Sequence, residues 1–175
     1  MIMSKSSIFA IVAFSFMSFF LYQGLYNDPK KVESPLIGKE FPKFKLNDLF
    51  LNTSHDNDSF QDRRTIINVW ASWCLECERE HSHLIALSNN KNFDLVGINY
   101  KDNADDAKGW LNMRGNPYRI IIADFSGDLS LDLGVYGVPE TYIIDENQII
   151  LYKHIGPINN KIIQQEMMPL LGMNE

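Results

Sequence analysis

Hydrophobic positions divide the chain into one uninterrupted apolar stretch near the N-terminus and a series of short apolar runs beyond it. Ile8–Tyr26 contains no charged residue, and as a helix it would be about 28 Å long, close to the hydrocarbon thickness of a bilayer. It lacks the short apolar core and small-x-small cleavage site of a removable leader, so residues 1–26 are expected to form an uncleaved membrane anchor, an N-terminal transmembrane helix. Lys5 on one side and Lys30 and Lys31 on the other leave its direction open. Residues 27–34 read as a polar tether containing Pro29, and 35–175 as one domain.

Within that domain the period changes repeatedly. Leu36–Leu46 alternates apolar and polar positions but is interrupted by Gly38 and Pro42, which suits an edge strand or an extended segment lying over the fold. Residues 47–62 are polar and turn-rich, as in a hairpin or loop insertion. Ile66, Ile67, Val69 and Trp70 form an apolar run fit for a strand covered on both faces, and Glu76–His83 opens a helical pattern that ends near Asn89 and Asn90. Phe93–Tyr100 reads as a strand, Ala104–Arg114 as a helix stopped by Gly115, Arg119–Asp124 as a third strand, and Gly127–Leu133 as a turn or short helix. Thr141–Asp145 and Ile149–Ile155 predict a hairpin about Glu146-Asn147. Asn159–Leu171 predicts a closing helix kinked or broken by Pro169. Strands alternating with helices, then a hairpin and a helix, predict an α/β domain.

Charge changes this picture little. The 22 acidic and 16 basic residues give a net charge of −6 and are interspersed, so no nucleic-acid surface is expected. The two cysteines change it more. Cys74 and Cys77 fall where a buried strand hands over to a helix, and the free N–H groups and macrodipole of a helix N-terminus stabilise a thiolate, the reactive form of cysteine. Cys74 is placed to attack, and Cys77, one turn further in and shielded, to resolve the mixed disulfide. Glu80 shares the helical face of Cys77, Leu84 and Leu87, where burial would raise its pKa and let it relay a proton to or from the inner sulfur. Glu76 and Glu78 complement the helix N-terminus, and Glu76 should also oppose a thiolate on Cys74.

Two other readings of the cysteine pair compete with this one. Cys74, Cys77, His81 and His83 have the composition of a Cys2His2 metal set, but His81 and His83, two residues apart on a helix, point about 200° apart, and no metal or other cofactor is expected. A purely structural disulfide between Cys74 and Cys77 would close a very small loop and constrain the unfolded chain little. Trp70 and Trp110 suit core packing; Trp73, next to Cys74, has a functional claim.

Trp73-Cys74-x-x-Cys77 and the Val138-Pro139 step before a strand resemble the thioredoxin superfamily. The resemblance implies a central mixed sheet flanked by helices. It also implies a cis Pro139 packed beside the disulfide, with the backbone before it pairing with an extended substrate. More narrowly, WCLECEREH, Asn99–Asn103 (NYKDN), Gly115–Tyr118 (GNPY) and Asp132–Asp145 (DLGVYGVPETYIID) are similar to the CcmG/DsbE family of membrane-tethered thiol reductases of cytochrome c maturation. That likeness implies an inner-membrane anchor with the domain in the periplasm. It carries acidic active-site roles onto Glu80 and Glu140 and sets Trp73 flanking the disulfide, with Trp73, Val138, Pro139 and Glu140 as the substrate-binding residues. The client implied is a disulfide in apocytochrome c or in a thiol protein of the same pathway, and the implied electron donor is a membrane thiol transporter of the DsbD/CcdA type. Leu75-Glu76 between the cysteines departs from the Pro-Thr pair of some members. A general periplasmic thiol-disulfide oxidoreductase, and a module that binds a metal or apocytochrome without electron transfer, are the alternatives.

Overall fold

The computed structural model describes residues 5–25, 34–60 and 63–173; most of the expected tether, and residues 1–4 and 26 of the expected anchor, lie outside them. The chain divides into two units, Met1–Val32 and Glu33–Glu175. In the first, Lys5–Leu25 forms a helix of 21 residues, α1. Among the described residues no helix is long and apolar enough to cross a membrane. A helix does form where the anchor was expected, over Lys5–Leu25.

The second unit is built on five strands: β3 (Thr65–Trp70), β4 (Asp94–Tyr100), β5 (Ile120–Asp124), β6 (Glu140–Ile144) and β7 (Ile150–Ile155). They run in the order β5-β4-β3-β6-β7, with β3, β4 and β5 parallel and β6 and β7 antiparallel to their neighbours. The crossovers between parallel strands are α2 (Leu75–Ser88) and α3 (Ala104–Arg114). Every residue of β3 is buried, as a strand with both faces covered requires. Its side chains alternate. Ile66 and Trp70 enter one core cluster with Leu84 and Leu87 of α2, Trp110 and Leu111 of α3, and Met167. Ile67 and Val69 enter the other, with Ile98, Ile122, Leu133 and Tyr142.

The helix limits follow local chemistry. The Asn103 side chain accepts the N–H groups of Asp105 and Asp106 at the start of α3, and Gly115, at φ 90°, ends it where a side chain would be strained. A short helix, α4 (Asp128–Asp132), follows β5. The C-terminal helix gives way earlier than expected. Pro169 cannot donate to the Gln165 carbonyl, and the ladder widens ahead of it into a π-helical segment, Ile163–Met167, where the Met168 N–H reaches Ile163.

Residues 36–46 are mostly an extended segment rather than a strand: Gly38 and Phe41 donate to Ile150 and Gln148, and Ile150 donates back to Lys39. The insertion that follows is a hairpin, β1 (Lys45–Asn47) with β2 (Ser54–Asp56). It rests against β5 through a bridge between Asp48 and Ile122 and a hydrogen bond from Leu49 to the Ile121 carbonyl. Asp48 holds the turn by accepting from Phe50 and Leu51 and sits 3.0 Å from His55 Nε2.

Candidate active site

β3 ends at Trp70, and the chain turns through Ala71–Trp73 before α2. Cys74 is the N-cap of that helix: its N–H donates to the Ala71 carbonyl, and its Sγ accepts the Cys77 N–H at 3.0 Å. The sulfurs are joined, with the Cα atoms 5.3 Å apart. A helix N-terminal N–H therefore points at the outer sulfur, the arrangement that stabilises a thiolate there on reduction. Both cysteines are buried, Cys77 the more deeply (2% exposed against 6%), while Trp73 and Leu75 on either side of Cys74 are exposed.

The turn is held from the next loop. Asp102 accepts the Ser72 N–H and hydroxyl at 2.6 and 2.7 Å and the Asn99 side-chain amide at 2.9 Å. Trp73 Nε1 donates to the Lys101 carbonyl, and Lys101 takes a positive φ of 43° to present it. Val138-Pro139 is cis. The antiparallel register sets Glu140 opposite Val69, so Pro139 lies at the same end of the sheet as Cys74, and Val138 packs against the cluster that contains both cysteines.

Glu80 is fully buried one turn beyond Cys77. Its Oε1 accepts from Asn68 Nδ2 at 2.7 Å and its Oε2 from the Ile158 N–H at 2.8 Å. Burial pushes its carboxyl up to about 7, and the two hydrogen bonds pull the other way. His81 is buried beside it, with Nε2 3.1 Å from the Gly115 carbonyl and its ring edge-on to Trp110.

A match to the Redoxin family model spans residues 36–167. The DsbE thiol:disulfide interchange protein of Vibrio cholerae is 42% identical over 163 residues, 93% of this chain and 88% of its own. The chain belongs to the DsbE family. The Escherichia coli K12 DsbE is 43% identical over 152 residues, covering 82% of this chain and 78% of its own. Among solved structures, a DsbF homologue from Corynebacterium diphtheriae superposes with a TM-score of 0.67 at 18% identity, over 80% of this chain and 94% of that one. A secreted thiol-disulfide isomerase from Corynebacterium glutamicum superposes at 0.65 and 20% identity, over 84% and 96%. The fold is thioredoxin-like, and the chain is a thiol:disulfide oxidoreductase.

On this DsbE-family frame the expected site residues do not all converge. Cys74, Cys77, Glu80 and Trp73 gather at the start of α2, with Val138 and Pro139 at the same end of the sheet. Glu140 does not join them. Side chains alternate along β6: Thr141 faces α2, where its hydroxyl meets Asn68, so Glu140 points to the opposite face. There it is fully buried, with Oε2 3.0 Å from Lys153 Nζ and 2.8 Å from the Tyr142 hydroxyl and Oε1 accepting the Tyr136 N–H. Glu76 is ion-paired with Arg79 at 2.5 Å, which offsets the field expected of it at Cys74. Asn68, Tyr118, Asp102 and Lys153 were not singled out from the sequence for site roles. Asn68 carried one signal, as an amide in the middle of an otherwise apolar strand.

Proposed function

We propose that this protein is a periplasmic reductase that opens the disulfide of apocytochrome c, or of a thiol protein serving it, ahead of covalent haem attachment. The reduced Cys74 thiolate attacks one client sulfur, forming a Cys74–client disulfide and releasing a client thiolate. Cys77, giving its proton to Glu80, then attacks Cys74 Sγ. The second client thiolate leaves, the client has gained two electrons, and the protein returns to the Cys74–Cys77 disulfide. A membrane dithiol transporter of the DsbD/CcdA type would restore the reduced form by the reverse exchange. Trp73, Val138 and Pro139 would receive the client chain.

The observation that carries the reductive direction is Glu80, buried beside Cys77 with two neutral donors as partners. A carboxylate so placed penalises a neighbouring thiolate, which favours the disulfide form of the protein and so makes its dithiol more reducing. We propose a membrane anchor as well, on the uncharged run Ile8–Tyr26 and the helix of about 31 Å that covers most of it.

The test is the redox equilibrium of the full chain in detergent against graded thiol–disulfide buffers, with Cys74→Ser as control. A single two-electron transition far below the roughly −120 mV of a strong periplasmic oxidant is expected, and Cys77→Ser should trap apocytochrome c as a mixed disulfide. A potential near that of the oxidant would overturn the reductase, and no reversible disulfide would favour a binding module.

A further inference from the structure

Glu80 sits at the end of a fully buried polar cluster that spans the sheet. Asn68 and Thr141 are direct cross-strand partners on β3 and β6, so their side chains share the face covered by α2. The Asn68 Nδ2 donates to Glu80 Oε1 and lies 3.2 Å from Thr141 Oγ1, while its Oδ1 accepts the Tyr118 hydroxyl at 2.7 Å. Each polar atom of the amide is thus engaged. Tyr118 is itself fixed: its ring stacks on Trp70 with centroids 5.8 Å apart, and both rings lie over Gly97, where a Cβ would come within 2.8 Å of Trp70 Nε1 and 2.9 Å of Tyr118 Cδ2.

This matters because an amide can present either end. Turned over, Asn68 would offer a carbonyl to Glu80 and favour a protonated carboxyl; as found, it offers an N–H and favours a carboxylate. A hydroxyl donated to Oδ1 opposes the turn. We propose that Tyr118 locks the Asn68 amide with its donor on Glu80, making Tyr118 and Asn68 the positioning residues that keep Glu80 a proton acceptor for Cys77. Burial and the nearby Glu80 hold the Tyr118 hydroxyl well above its usual range, so it remains a donor wherever the cysteines react. The titratable groups around Glu80 are Tyr118 across the amide and, along α2, Cys77 and His81. The inference rests on Glu80 being the proton acceptor in the resolving step.

The measurement is the pH dependence of that step in the full chain. Cys74 is loaded as a mixed disulfide with a chromogenic aryl thiol, and release of the aryl thiolate as Cys77 attacks Cys74 Sγ is followed by absorbance. An inflection reporting Glu80 is expected near 7, and Glu80→Gln should abolish it. Tyr118→Phe, which removes one oxygen and keeps the stacked ring, should move it upward by roughly half to one pH unit, and Asn68→Ala by more. Should Asn68→Ala not fold, Tyr118→Phe carries the test, with the carboxyl C=O stretch in infrared difference spectra as a second reading of the same midpoint. If Glu80→Gln leaves the inflection in place, the proton-acceptor role of Glu80 fails. If Glu80→Gln abolishes it while Tyr118→Phe does not move it, the lock alone is overturned.

Discussion

Two glutamates lie fully buried on opposite faces of one sheet, and the protein treats them in opposite ways. Glu140 on β6 is given a cation, Lys153 on β7, whose ammonium also donates to the Gly134 carbonyl and lies 4.9 Å from the Tyr136 ring centre. Glu80 on α2 is given only neutral donors. The first arrangement ties both ends of the 134–140 loop to a charge pair. The second leaves a carboxyl able to change its protonation near neutral pH, beside the inner cysteine. Burial sets the scale of the energy in both cases, and the chemistry of the partner decides whether the result is a clamp or a proton site.

The contrast breaks most visibly at Lys153. Lys153→Met would strand a buried carboxylate and should cost about 3–5 kcal/mol in chemical unfolding, with Glu140→Gln in the same chain restoring most of it. A loss under about 1 kcal/mol would mean that Glu140 does not depend on its ion pair. A smaller effect, opposite in character, is expected at Glu80. Its folded value, about 7, exceeds the ordinary 4.5, so its contribution is full below the ordinary value and is lost as pH rises through 7. The oxidised protein should lose up to about 3 kcal/mol across that window, and Glu80→Gln should flatten the slope. A slope unchanged in Glu80→Gln would place the titration elsewhere. Smallest is Gly97→Ala, where a methyl would press on two stacked rings rather than on flexible chain ends. An unfolding cost of about 1–3 kcal/mol is expected; no cost would mean that the Trp70–Tyr118 stack yields freely.

The same pair shows where sequence reasoning reaches and where it stops. Helical period placed Glu80 with Cys77, Leu84 and Leu87, and all four are buried together on α2. A period of 3.6 constrains faces well over one or two turns. The family likeness set Glu140 in the site beside Pro139, but a strand reverses its side chains at every residue, and it is the register of β6 against β3 that sends Glu140 away from the disulfide. The buried amide cluster was out of reach for another reason: Tyr118 and Thr141 are 50 and 73 residues from Asn68, and no local pattern joins them. The limits of α3 were legible because Asn103 and Gly115 act locally. The π-helical segment was not, because Pro169 announces a break without saying on which side the ladder will adjust.

The hairpin that leans on β5 has a further consequence, for solubility. An outer strand with free N–H and carbonyl groups is a template on which any unfolded polypeptide can add. Here Asp48 and Leu49 occupy positions along β5, and at the other flank residues 38–41 lie along the start of β7. A protein whose proposed clients are unfolded chains thus has both flanks of its sheet partly shut against them, leaving exchange at the cysteines as the route of capture.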